Sequence, residues 1–167
     1  MNNRHFFAGA NTHKGFVNLF DSIGGKYTYI LKGCAGSGKS TLLKTIAEHF
    51  SNLGETIEFF HCSADPDSLD GILLVEHDIA IVDGTTPHIM ESKEDGTDEI
   101  IYLSNNLPFY IPMADRLYSK KQKYYKKSAK LQKKAFEIHK KIEAIYAHYI
   151  EFDKITEITQ ELIAKLS

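Results

Sequence analysis

The chain has 167 residues, 43% hydrophobic and 25% charged, with a formal net charge of −2. That is enough for one sizeable core, or for a core and an appendage, with the balance of an ordinary globular protein. Two cysteines, Cys34 and Cys62, exclude a disulfide scaffold, and no apolar run reaches transmembrane length.

The start, MNNRHFFAGANTHKGF, contains no stretch suited to a signal peptide, so reduced thiols, a cytoplasmic location and no membrane partner are expected. Charge is unevenly spread. Residues 1–115 carry seven Lys or Arg against sixteen Asp or Glu, whereas residues 116–167 carry thirteen against six. An acidic module joined to a basic one raises the question of an anionic partner.

In chain order, Arg4–Ala8 is a candidate strand, and Tyr27–Leu31 (YTYIL) predicts a buried strand that stops at Gly33. Leu42, Leu43, Ile46, Ala47 and Phe50 recur at helical spacing and predict a helix over Ser40–Phe50, with Gly54 as its stop. Thr56–Cys62 reads as a second strand, Asp65–Leu74 as a turn and a short helix, and Ile79–Asp83 (IAIVD) as a third, almost wholly apolar strand. Glu91–Asp98 reads as a solvated turn or loop, and Glu99–Leu103 as a segment of either type. Apolar strands alternating with helices predict an α/β unit over residues 1–112, a mainly parallel sheet flanked by helices and covered on both faces.

Beyond Pro112 there is neither Gly nor Pro. Leu117, Tyr124, Leu131, Ile138, Ile145 and Phe152 recur every seven residues, and Ala135, Ile142 and Tyr149 fill the second heptad position. A helix from Ala114 to about Phe152 would run roughly 55–60 Å. Ile155, Ile158, Leu162 and Leu166 predict a second helix folding back, making residues 113–167 a basic helical hairpin or coiled coil. Lys120–Lys141 contains ten lysines and one acid, Glu137. Three uses are open: a solvated face, docking on the acidic module, or a nucleic-acid surface, the last ranking below the others. The heptads point to self-association, either with a second copy or with a second module.

The stretch with the clearest chemistry is GCAGSGKST, Gly33–Thr41, which fits G-x-x-x-x-G-K-[ST] between a strand and a helix. Gly33, Cys34, Ala35, Gly36, Ser37, Gly38, Lys39, Ser40 and Thr41 would wrap backbone N–H groups around a phosphate, with the helix N-terminus adding positive potential. Lys39 would reach the β- and γ-phosphates of a nucleotide, Ser40 would face Mg²⁺, and Thr41 would lie near the α-phosphate. Asp83, at the end of IAIVD, is the candidate second metal residue beside Ser40.

Four stretches in this order, RHFFAGANTHKGF, GCAGSGKST, HCSADPDSLDG and IVDGTTPH, resemble a family of poorly characterised bacterial P-loop ATPase-like proteins, some labelled nucleotide kinases by analogy. Members often carry the module twice in one chain; here there is one GKS, so the chain is a single-module relative or one half of a longer protein. The resemblance covers about residues 4–103. It implies a P-loop NTPase-type fold and binding of ATP with Mg²⁺ at Gly33–Thr41 and Asp83, and it implies no substrate.

The residue after Asp83 is Gly84, so the acid that many such ATPases place there to orient water is missing. Asp65 and Asp67 in HCSADPDS are the candidate catalytic carboxylates, with helix capping as their structural alternative. Thr85, Thr86 and His88 would stand near a γ-phosphate or shape a turn with Pro87, and His61 would pack at its strand end. Only Arg4 and Arg116 could serve a bidentate clamp on a second phosphorylated ligand, which weighs against a nucleotide kinase. Arg116 is an arginine-finger candidate or a surface charge. The absence of an NKxD-like segment weighs against a GTPase. The expected activity is an ATPase coupled to a partner or to the helical tail; a nucleotide or small-molecule kinase and a non-hydrolysing switch are the alternatives.

Overall fold

The computed structural model describes residues 3–92, 96–103 and 112–166. Eight strands and three helices follow in chain order: β1 (Arg4–Phe6), β2 (Gly9–Thr12), β3 (Gly15–Asn18), β4 (Tyr27–Lys32), α1 (Lys39–Asn52), β5 (Ile57–Cys62), β6 (Asp65–Leu74), β7 (Ile79–Asp83), β8 (Asp98–Tyr102), α2 (Pro112–Ala147) and α3 (Phe152–Leu166). Of the loop expected at Glu91–Asp98, residues 93–95 lie outside the described residues, as do residues 104–111 ahead of the expected domain boundary.

Six strands form one sheet in the order β1-β5-β6-β7-β4-β8, and β2 and β3 form a separate hairpin. β1 runs parallel to β5, and β4 runs parallel to both β7 and β8. β6 alone opposes its neighbours, β5 and β7. The expected mixed α/β unit with a mainly parallel sheet is therefore present. The segment Glu99–Leu103 resolves as the edge strand β8.

One expectation is overturned. Asp65–Leu74 is a ten-residue strand, not a turn and a short helix. Its second half, from Leu69 to Leu74, is almost wholly buried between two strands, where a helix could not fit. Gly71 accommodates this close packing: a Cβ there would meet Val82 Cγ1 at 3.2 Å and Ile81 O at 3.3 Å. The link to β7 is a tight turn over Val75–Asp78, in which Asp78 takes the left-handed conformation (φ 55°) that aspartate tolerates better than most residues. The antiparallel hairpin so formed makes β6 run against the other strands.

The sheet is covered differently on its two faces. On one, Leu43 and Ala47 of α1 pack against Leu31, Ile57, Leu69, Ile72, Leu74 and Ile81. On the other, Ile30, Phe60, Ala80 and Val82 lie under Ala8, Phe20 and Met90. Phe20 belongs to a one-turn 3-10 segment and Met90 to the loop after β7. Both faces are thus covered, the first by α1 and the second by turns and irregular chain.

α2 spans 36 residues, about 54 Å at 1.5 Å per residue. It ends at Ala147, before the expected end near Phe152, and Phe152 opens α3. α2 leans on the β2–β3 hairpin: Gln132 Nε2 donates to the Asn11 carbonyl at 3.0 Å, and Phe136 stacks on His13 with ring centres 4.0 Å apart. The half-buried residues Gln122, Tyr125, Ala129 and Gln132 mark the docked face. The heptad positions Leu117, Tyr124, Leu131, Ile138, Ile145 and Phe152 are all exposed, as are Ile155, Ile158 and Leu162 of α3. No described helix is long and apolar enough to cross a membrane.

Candidate functional site

The parallel register of β4 and β7 pairs Leu31 with Asp83, so the chain entering Gly33–Thr41 and the carboxylate ending β7 emerge at the same end of the sheet. Beyond Lys32 the loop turns back through a Ser37 N–H bond to the Cys34 carbonyl (3.1 Å). Gly36 and Gly38 have φ of 82° and 91°, a region that costs a side-chain-bearing residue energy, and at both the space a Cβ would take is open. At Gly33 the constraint is different: a Cβ there would lie 2.5 Å from Ser37 Oγ and 3.1 Å from Ser37 Cβ, so Ser37 would have to shift. Gly38 also caps α1 without a side-chain hydrogen bond, and the first turn of the helix has no acid. The N-terminal amides of α1 therefore face no competing carboxylate from their own turn.

Lys39 folds back over this loop. Its ammonium donates to the Gly33 carbonyl (2.6 Å) and the Cys34 carbonyl (3.1 Å), and stands 3.6 Å from Asp83 Oδ2. The other Asp83 oxygen accepts the Thr85 N–H at 2.8 Å. Thr85 Oγ1 in turn accepts from Gly33 N (3.2 Å) and donates to Gly33 O (3.1 Å), clipping the chain after β7 to the start of the glycine loop. Lys32 fastens the same segment from below, donating to the carbonyls of Gly84 and Met90, both at 2.6 Å. Gly84 has no room for a side chain, since a Cβ would sit 2.3 Å from Ile30 Cγ2. Packing therefore excludes an acid at that position. Ser40 Oγ accepts the Leu69 N–H at 2.9 Å, which ties the start of α1 to β6.

Asp70 and His88 were not singled out together by sequence reasoning. Their side chains are only 8% and 7% exposed, with His88 Nε2 3.2 Å from Asp70 Oδ2. Neither that oxygen nor His88 Nδ1 makes a well-directed hydrogen bond among the described residues. Phe16 meets the His88 ring edge-on at 5.0 Å and Phe20 packs at 4.8 Å. Burial pushes the Asp70 carboxyl above its usual range; His88 and the Cys62 thiol oppose this, Asp83 adds to it, and Lys39 relieves it. Burial likewise pushes the Cys62 thiol up, with the charge of Asp70 adding to the effect. The sequence does carry a signal for Asp70: it is the lone charge in the apolar run LDGILL.

Lys39, Asp83, Asp70, His88 and Thr85 share one open cleft of about 960 Å³. Its opposite wall comes from α2, through Leu117, Tyr118, Lys121, Gln122 and Tyr125. Lys121 Nζ lies 5.4 Å from the Tyr125 ring centre. These helix residues joined the site only on folding.

Of the residues expected from sequence, Gly33, Cys34, Ala35, Gly36, Ser37, Gly38, Lys39, Ser40 and Thr41 form one loop and helix start, and Asp83 lies beside Lys39. Asp65 and Asp67 lie apart, at the exposed beginning of β6, where Asp65 Oδ1 accepts the Asp67 N–H at 3.3 Å. With no helix there, helix capping is removed as their alternative role, and neither lines the cleft. His61 is held at its strand end by Pro66 O (2.6 Å) and His5 Nδ1 (2.8 Å), in line with a packing role. Arg116 is exposed and does not line the cleft.

The donor set suits a phosphate with Mg²⁺. The left-handed glycines leave open space in the loop, the Ser37 hydroxyl is buried without a hydrogen-bond partner, and hard oxygen atoms stand close by on Asp83, beside Lys39, and on Ser40, whose hydroxyl accepts the Leu69 N–H. Among the described residues no group of three His, Cys, Asp or Glu could hold a metal ion by itself. Mg²⁺ commonly uses one or two protein oxygens and completes its shell with phosphates and water. Comparison with protein-family models, curated proteins and solved structures returned no significant match.

Proposed function

We propose that the chain binds ATP with Mg²⁺ at Gly33–Thr41, hydrolyses it, and passes its nucleotide state to the helical arm. One observation carries the reading: Gly36 and Gly38, both left-handed, leave a cradle at the start of an uncapped helix, with Lys39 held 3.6 Å from Asp83. In this reading the loop amides and Lys39 hold the phosphates, while Ser40 and Asp83 hold Mg²⁺, which neutralises charge developing on them. The resemblance to P-loop ATPase-like proteins points the same way.

Coupling to the arm is supported by the cleft itself, because α2 supplies the wall opposite Lys39 and Asp83. A ligand filling the cleft would touch both sides. The β2–β3 hairpin offers a second connection, since Phe16 packs on His88 while Asn11 and His13 hold α2.

A kinase is the second reading, favoured by the cleft's size. About 960 Å³ lies at the upper end of the range of about 300–1,000 Å³ for small-molecule sites, leaving room for an acceptor beside the terminal phosphate. Titration with a fluorescent ATP analogue, followed by ADP release with and without candidate acceptors and nucleic acids, tests these readings. Mg²⁺-dependent binding that Lys39→Ala removes is expected, with ADP release in the absence of an acceptor. Acceptor-dependent release would favour the kinase, tight binding without turnover a switch, and equal binding by wild type and variant would overturn the nucleotide site.

A further inference from the structure

Two buried polar atoms on residues lining the same cleft as Lys39 and Asp83 keep unspent hydrogen-bonding capacity: Asp70 Oδ2, whose contact is His88 Nε2 at 3.2 Å, and His88 Nδ1, which has no partner among the described residues. Buried polar atoms are seldom left so, and where they line a cleft their natural partner is a ligand or an ordered water.

Topology explains why this carboxylate is at the site. The β6–β7 ladder ends with Gly71 opposite Val82. Continued by one residue, the antiparallel register sets Asp70 across from Asp83 at the end of the sheet where Gly33–Thr41 emerges. β6 is also irregular against β5 here, with register shifts on either side of His61, a local distortion of the kind that re-aims side chains next to functional sites. His88 reaches Asp70 from the loop that Lys32 and Thr85 pin down, and Phe16 and Phe20 hold its ring. Both members of the pair are thus positioned by packing.

We infer that Asp70 is the catalytic carboxylate that orients the attacking water at the γ-phosphate, with His88 as its positioning residue. This rests on the proposed ATPase reading and gives Asp70 the role that sequence reasoning assigned to Asp65 or Asp67. In the step, a water in the cleft hydrogen-bonds to Asp70 and its oxygen forms a bond to the γ-phosphorus. The bond from that phosphorus to the β–γ bridging oxygen breaks, and its electron pair leaves on ADP. The water proton is taken up through Asp70 and passes to the released phosphate. No other reactant is needed. Burial, which raises the carboxyl's proton affinity, suits it to this task better than the exposed Asp65 and Asp67.

Single-turnover phosphate release by the full chain, with ATP affinity, the half-saturating Mg²⁺ concentration and the melting temperature measured alongside, tests the assignment. Asp70→Asn is close to isosteric and should keep ATP affinity and Mg²⁺ dependence while turnover falls about 10²-fold or more. Asp70→Ala, checked for folding by circular dichroism, should behave alike. His88→Gln, which retains a donor, should recover part of the turnover that His88→Phe loses, a rescue a merely structural role would not produce. Wild-type turnover in Asp70→Asn overturns the inference and leaves ATP binding intact. A shifted Mg²⁺ requirement at unchanged turnover overturns it in favour of a metal-ligand role. If the wild-type chain binds no ATP, the nucleotide reading itself fails and the inference with it.

Discussion

The Lys39 ammonium stands 3.6 Å from Asp83 Oδ2 and, in the same position, donates to the carbonyls of Gly33 and Cys34. One cation thus joins the glycine loop to the end of β7. Both side chains are largely sheltered, 10% and 14% exposed, so the pair is screened less than a surface ion pair. Lys39→Ala removes the charge that would meet the β- and γ-phosphates, and ATP affinity is expected to fall at least tenfold, about 1.4 kcal/mol. Calorimetry giving equal affinities for wild type and variant would sink the assignment.

Asp83→Asn keeps an oxygen able to accept the Thr85 N–H but loses the charge facing Lys39. Folding should survive. The Mg²⁺ concentration needed for half-maximal ATP binding is expected to rise, by about tenfold if Asp83 supplies roughly 1.4 kcal/mol to the metal complex. An unchanged Mg²⁺ titration would place the metal ligand elsewhere.

Two glycine substitutions separate the loop's conformation from its packing. Gly38→Ala places a side chain in a left-handed conformation with open space around it, so backbone strain of about 1–2 kcal/mol is expected. Gly84→Ala instead drives a Cβ into Ile30 and should cost about 1–3 kcal/mol through overpacking. Urea unfolding of both variants measures the costs. A Gly84→Ala chain as stable as wild type would show that the loop after β7 shifts readily.

The buried Asp70 gives stability a pH dependence. Its folded-state carboxyl binds its proton more tightly than the unfolded one, whose usual value is 3.8. The folded state therefore gains from protonation, and this contribution falls as pH rises from about 3.8 through the raised folded value. Asp70→Asn removes this loss. The variant is expected to melt higher than wild type near neutral pH, with the difference shrinking as pH falls from the raised folded value toward about 3.8. Melting curves across pH check this, and a constant difference would mean that Asp70 does not titrate in that window.

The exposed heptad face of the arm predicts self-association. Leu131, Ile138 and Ile145 lie uncovered on α2, away from the face that Gln132 and Tyr125 turn toward the α/β unit. Sedimentation should show association that Ile138→Lys with Ile145→Lys abolishes, while α2 stays docked through Gln132 and Phe136. A strict monomer at high concentration rules this out. Binding of DNA or RNA through the lysines would instead weaken steeply with salt, and no binding at low salt removes that reading.

Local sequence sufficed wherever the signal was local. The IAIVD run specified β7 to the residue, and YTYIL marked β4 with one residue more, because uninterrupted apolar β-formers have few other stable placements. The glycine spacing located the loop, because Gly36 and Gly38 occupy backbone conformations that other residues resist. The periodicity of α1 and the Gly54 stop were legible for the same reason. Tertiary structure decided the rest. DPDSLDG looks like a turn, yet burial between β5 and β7 draws it into a strand, and only that pairing carries Asp70 to the sheet end beside Asp83. The heptads of α2 advertised one face while Gln122, Tyr125, Ala129 and Gln132 dock by another, because contact with the β2–β3 hairpin and the cleft, not hydrophobic periodicity alone, orients the helix. A partner strand and a docking surface are set by residues distant in the chain, and local periodicity carries no record of them.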